Sequence, residues 1–273
     1  MTRILCSTIL FLLLICLFGC QESEPITQEP EPKTPFRPES ITETFDHPDC
    51  EIDGEPCVHL YFHQPRFRNP SPLGDSLRVW TERHLYYPEP GSTPTTPDKL
   101  AQDWFRDYDQ FVSEIEDYRI PWSLERSVEK IFESQNLISL HFNEYSFTGG
   151  AHPHQMDVFQ SFIRPEGKKL TLSDLTYDFD SFEQLVDLAE EQFRFSFELL
   201  ENENLQEAGF HFVDGEFHLT ENFAFTDFGL IFYFNTYEVA PYVTGPIAIE
   251  LPYEDLRHLI RSRWLHEQNP RAL

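Results

Sequence analysis

Positive charge is scarce in this sequence: 20 Lys and Arg stand against 47 Asp and Glu in 273 residues, a formal net charge of −27. A nucleic-acid backbone or an anionic lipid surface would be repelled on approach, so neither is expected as the main partner. A cationic partner is the electrostatic complement. Cysteine is scarce too: there are five, and Cys6, Cys16 and Cys20 fall within the first twenty residues. The remaining two thiols make a weak case for a zinc centre. Catalytic signatures are missing: no Gly-x-Ser-x-Gly, phosphate-loop, His-Glu-x-x-His or Cys-x-x-Cys string occurs. Acidic pairs can be drawn anywhere among 47 carboxylates and so do not identify a glycosidase. No enzyme and no cofactor is indicated by these patterns. Core material is plentiful. Hydrophobic residues are 40% of the chain, aromatics 15%, and Phe alone is 26 residues, which excludes disorder of the whole chain.

The start of the chain reads as an address. Arg3 precedes an apolar run from Ile4 to Phe18 that ends in Leu17-Phe18-Gly19-Cys20. Such a run is short for a membrane span and suits a secretory signal. The small residue before Cys20 meets the need of lipoprotein processing, in which Cys20 carries the lipid and residues 1–19 are removed. A plain secretory signal with a chance Cys is the alternative. Residues 20–49 hold eight acids against Lys33 and Arg37, with six prolines, and are expected to form an extended, unfolded tether. The membrane is then reached by the lipid anchor only. The location is extracytoplasmic, with the outer membrane favoured if the cell has two, because Gln21 offers no retention signal. In an oxidising compartment Cys50 and Cys57 are expected to close a small disulfide loop.

Periodicity predicts an α+β fold: a largely antiparallel sheet with packed helices, in two intimately joined subdomains, 50–165 and 166–273. Alternation marks strands at Val58–Phe62, Trp122–Phe132, Leu137–Phe142, Met156–Phe162, Phe210–Val213, Phe217–Phe225, Leu230–Phe234 and Ile247–Leu251. Helical spacing marks a short helix carrying Leu77 and Trp80 with Asp75 as its cap. It also marks one opening at Thr96-Pro97, one from about Ser181 to Leu200, and a C-terminal helix from Pro252-Tyr253.

Two strings carry candidate chemistry. In Tyr145-Ser-Phe-Thr148-Gly149-Gly150-Ala-His152-Pro-His154 the Gly pair permits a sharp bend and exposes backbone N–H groups to a ligand. His152 and His154 would share one side of an extended segment, a weak two-point metal site that lacks a third ligand; hydrogen bonding to neighbouring loops is the simpler alternative. In Tyr237-Glu-Val-Ala-Pro-Tyr242 the rings suit a sugar or a protein partner, or cover the core beneath a crossing between strands.

Those two strings, with Leu170-Thr-Leu-Ser-Asp-Leu175 between them and Gly245 and Pro252-Tyr253-Glu254 after them, resemble a bacterial module: the paired domains of unknown function 4163 and 3298. The likeness spans roughly residues 56–265. These domains occur in the extracytoplasmic part of lysozyme-sensing anti-sigma factors and beside some peptidoglycan deacetylase domains. The resemblance implies an α+β fold and a binding module; the ligand-binding candidates within the two strings are Tyr145, Thr148, Gly149, Gly150, His152, Tyr237 and Tyr242. No sigma-binding segment, mid-chain membrane helix or deacetylase domain accompanies the motifs, so those activities are not carried over. The expected function is a lipid-anchored envelope binding module for a lysozyme-like protein or peptidoglycan glycan. A deacetylase-like or hydrolytic enzyme using His152, His154 and a metal is the alternative.

Overall fold

The computed structural model describes residues 39–67, 70–88 and 91–265. Residues 1–38, on which the expected signal segment 1–19, the expected lipid site Cys20 and most of the expected tether fall, lie outside the described residues. A first strand, β1 (Glu39–Asp46), runs antiparallel to β4 (Val58–Arg66). Between them, β2 (Glu51–Ile52) and β3 (Glu55–Pro56) form a small hairpin, and Cys50 and Cys57 are disulfide-bonded with Cα atoms 5.5 Å apart. Of the stretch 20–49 expected to be extended and unfolded, Glu39–Asp46 is instead a strand of the sheet. Ile41, Glu43 and Phe45 are half-buried while Thr42, Thr44 and Asp46 face solvent, a period-two pattern that the abundant acids and prolines conceal. Charge on such an outer strand also discourages pairing with other chains.

From β4 the chain crosses through α1 (Pro72–Leu85) and α2 (Pro97–Glu114) to β5 (Trp122–Glu133), which pairs parallel to β4. A parallel pair requires such a crossover. Next, β6 (Leu137–Phe147) and β7 (His154–Ile163) continue as an antiparallel meander, with β8 (Lys168–Lys169) on the end of β7. After α3 (Leu172–Leu175) and α4 (Phe179–Ser196) the chain returns as β9 (Phe223–Phe225), β10 (Gly229–Phe234) and β11 (Ile247–Pro252), followed by α5 (Tyr253–Leu256). Among the described residues the sheet has nine strands, in the order β1-β4-β5-β6-β7-β9-β10-β11 with β8 beside β7. This is the expected α+β class with a mostly antiparallel sheet.

Helix starts follow capping chemistry. Thr96 caps α2 through its bond from the Lys99 N–H, and Asp178 caps α4 from Ser181. For α1 the cap is Ser71, bonded from Gly74, with Pro72 in the first turn, rather than Asp75. Two large hydrophobic clusters line the sheet among the described residues, with a small third one of Phe159, Ala224 and Ile231. One joins Leu60, Phe62, Leu124 and Phe142 to Leu77, Trp80, Leu100 and Tyr108 of α1 and α2. The other sets Phe223, Phe225, Phe232 and Ile249 against Leu185, Ala189 and Phe193, spaced four residues apart along α4. The strand predicted at 210–213 does not form, and of the one predicted at 217–225 only Phe223–Phe225 does, as β9. Phe210, Phe212 and Phe217 ring Phe193 at 4.8, 5.4 and 5.5 Å between centroids, so burial alone, without a ladder, explains their apolar pattern. The predicted C-terminal helix is the single turn α5.

A buried ion pair lies beside the first cluster. Arg126 and Glu144 face each other across β5 and β6 at 2.7 Å, both almost fully buried. The Arg126 guanidinium also donates to the carbonyls of Leu85 and Tyr87 at the end of α1, and the Tyr87 hydroxyl donates to Glu144. His84, whose Nδ1 lies 2.7 Å from the Trp80 carbonyl, is kept neutral chiefly by burial. Nearby cationic side chains add to this against the opposing backbone bond, and its pKa falls to about 4. An unfolded chain protonates this ring near pH 6.5, so stability present above that pH is lost as pH falls toward 4, by up to about 3 kcal/mol. In urea denaturation the stability advantage of the wild type over His84→Leu should shrink between pH 7 and 4.5. A gap that does not move with pH would show that His84 titrates alike in both states.

Candidate functional site

The hairpin tip between β6 and β7 and the connection between β10 and β11 meet at one surface. The His152 imidazole stacks on the Tyr242 ring, centroids 4.5 Å apart and planes 25° from parallel, and Tyr237 adjoins Tyr242 at 5.5 Å. These rings are exposed: Tyr237 is 70% and Tyr242 37% accessible, and Val243 beside them is 91%. Three candidates from strings far apart in sequence thus form one aromatic surface. Pro241 leads into a single turn of 3-10 helix at Tyr242–Thr244, closed by Gly245 at φ 73°. Tyr237 sits at φ 70°, in the third position of a turn closed by the Glu238 N–H on the Asn235 carbonyl. Glycine is the usual occupant of such a position, and a bulky side chain there costs about 1–2 kcal/mol. Strain of this kind, holding an exposed ring in place, is characteristic of functional sites.

The other candidates are disposed differently. Gly149 (φ 81°) lies against Tyr118: a Cβ there would come within 1.9 Å of the phenol oxygen. That oxygen accepts from the Trp122 indole at 3.1 Å and donates to the Thr148 carbonyl at 3.5 Å. Phe111 packs edge-on to Tyr118 at 5.0 Å, so the hairpin tip rests on a rack of rings from α2 and β5. This close approach accounts for Gly149. Gly150 and the Thr148 side chain are exposed, and Tyr145, half-buried within β6 opposite Gln155, is not one of the stacked rings. His154 opens β7 with its Nε2 4.0 Å from Glu144, while His152 turns to Tyr242, so the two imidazoles engage different neighbours. Among the described residues no group of three or more His, Cys, Asp or Glu is placed to hold a metal ion.

A polar cluster joining β6, β7 and β10 carries no local mark in the sequence. The Asp157 carboxylate accepts from His141 Nε2 (2.7 Å), Asn143 (3.0 Å) and the Tyr233 hydroxyl (3.1 Å). Burial opposes its ionisation, but these donors outweigh burial and hold the carboxyl below its ordinary range. Two asparagine side chains grip the adjacent backbone. The Asp157 N–H donates to Asn235 Oδ1 (2.7 Å), and the Asp157 carbonyl accepts from Asn235 (3.0 Å) and Asn222 (2.9 Å). The Phe159 N–H donates to Asn222 Oδ1 at 2.7 Å. The His141–Asp157 pair thus ties β6, β7 and β10 together.

Comparison with known proteins agrees with this architecture. A family model described as a protein of unknown function (DUF3298) matches residues 173–254, and one described as Deacetylase PdaC matches residues 93–155. No curated protein matches the sequence. A DUF3298-family structure from Bacteroides fragilis is 22% identical, covers 83% of this chain and 93% of its own, and superposes with a TM-score of 0.58. Another, from Pseudomonas aeruginosa, is 21% identical, covers 84% and 95%, and has a TM-score of 0.58. At these identities the likeness is one of fold. The two family matches point to a cell-envelope-related domain.

Gly149→Ala should destabilise the protein by about 1–3 kcal/mol, through both the Cβ clash and the positive φ. Adding Tyr118→Phe should return part of that loss in thermal unfolding. No recovery in the double variant would mean that the backbone conformation alone accounts for the glycine.

Proposed function

We propose that the chain is a lipid-anchored, extracytoplasmic binding module of the bacterial cell envelope that takes a cationic lysozyme-like protein on the His152–Tyr242–Tyr237 surface. The observation that carries this is the exposed ring stack, assembled from two loops and including a tyrosine held at positive φ. Tyr rings, with an apolar face and a polar tip, are enriched among protein contact hot spots. The net charge of −27 favours a basic partner and speeds its encounter. The two family matches support an envelope setting, and anchoring through Cys20 would hold the module at a membrane surface, the outer one in a two-membrane cell.

Peptidoglycan glycan is the second ligand class for the same rings, since flat aromatic faces also stack on sugars. An enzyme using His152, His154 and a metal has the name of the second matched family on its side. Its two imidazoles, however, turn to different partners.

In calorimetric titration the full-length protein should bind lysozyme saturably, still do so at 1 M salt where the Debye length is about 3 Å, and ignore an equally basic unrelated protein. Tyr242→Ala or His152→Ala should weaken binding at least about tenfold, some 1.4 kcal/mol, with unchanged circular dichroism. Equal, salt-erased binding to both basic proteins would refute the proposal, and glycan fragments would then be the ligand to titrate.

A further inference from the structure

The two halves of the stack stand on different parts of the sheet. His152 belongs to the hairpin that leads into β7, and Tyr242 to the connection after β10. Along its β6 side β7 is bonded through ten register pairs, from Leu137↔Ile163 to Ser146↔His154. On its other side it meets β9 through one pair, Gln160↔Phe223. Among the described residues no strand lies along that side of the stretch of β7 nearest His152, and the asparagine side chains take that place. Asn235 makes the two bonds, to the N–H and C=O of Asp157, that a neighbouring strand would make.

We infer that Asn235 is the positioning residue of the ring stack: its side-chain amide sets where the 235–245 connection stands against β7, and hence whether Tyr242 reaches His152. The consequence for ligand binding rests on the stack being the ligand surface; the positioning itself does not.

A rigid path leads from Asn235 to the rings. Its own N–H donates to the Glu238 carboxylate at 2.7 Å, and its carbonyl accepts from the Glu238 N–H, which fixes the turn carrying Tyr237. Val239 and Ala240 come after it, both buried, with the Val239 carbonyl bonded from the His211 N–H at 2.7 Å. Pro241 and Tyr242 come next. Displacing Asn235 therefore moves the whole segment relative to β7. An amide is required at this position. Aspartate would set an oxygen against the Asp157 carbonyl, and alanine would leave the Asp157 N–H without its acceptor.

The test uses proton NMR of the full-length protein, reading the ring-current shift that Tyr242 imposes on the His152 imidazole. Tyr242→Ala defines the unstacked position. Asn235→Ala and Asn235→Asp should each bring the His152 resonances to that position in a folded protein. Leu185→Ala, which empties core volume under α4, should lower stability without moving them; this separates positioning from general loss of stability. His152 resonances left at their wild-type position in a folded Asn235→Ala or Asn235→Asp protein would overturn the inference. If the stack is lost in Asn235→Ala, lysozyme affinity should fall by the same factor as in Tyr242→Ala. Affinity retained without the stack would refute the binding surface and leave the positioning role intact.

Discussion

Side-chain hydrogen bonds close the line along which the two parts of the sheet meet. Between β7 and β9 the ladder is reduced to one register pair. Asn222 and Asn235 satisfy the backbone of Asp157 and Phe159, while Ser161 Oγ, itself 2.8 Å from Ser139 Oγ, accepts the Phe225 N–H at 3.0 Å. An unpaired buried backbone group costs about 1–3 kcal/mol, so a line left open at several such groups would remove a large fraction of a typical domain's stability. Short polar side chains complete it without requiring long parallel strands. The Asp157 carboxylate, held ionised by His141, Asn143 and Tyr233, gathers β6, β7 and β10 at the same place.

The candidate surface depends on this line, because its rings come from both sides of it. Such an arrangement lets a surface built on loops be held by sheet geometry, which limits the ordering cost of binding. The acidic charge acts at longer range. It can accelerate the arrival of a basic partner and fades with salt, whereas the shaped contact between rings and ligand does not. Affinity that survives salt therefore reports the rings, and encounter rate reports the charge.

Much of the fold is legible in the sequence because the relevant forces act within a few residues. Thr96-Pro97 with Leu100 and Tyr108 specifies α2, and alternation in 122–132 and 247–251 specifies strands whose inner residues are buried. Legibility fails where context decides. The strand at 39–46 is hidden in an acidic, proline-rich stretch because its burial is shallow. Phe210, Phe212 and Phe217 resemble strand residues because a loop wrapped around Phe193 is as apolar as a strand. Both strings behind the surface stand out in sequence, yet their meeting depends on chain segments about 90 residues apart. Asn222 and Asn235 look like ordinary turn residues, and only the strand gap beside β7 gives their amides a task. Gly149 is conspicuous in its string, but its reason, the Tyr118 hydroxyl, lies 31 residues away.

Amide hydrogen exchange in an Asn222→Ala variant tests most directly the claim that side chains hold this line. The N–H groups of Asp157, Phe159 and Phe225 should exchange faster together, while those of β4, β5 and β6 keep their wild-type protection, since the ladders among those strands do not pass through Asn222. A Phe159 amide as protected as in the wild type, or a uniform acceleration across the sheet, would contradict the account.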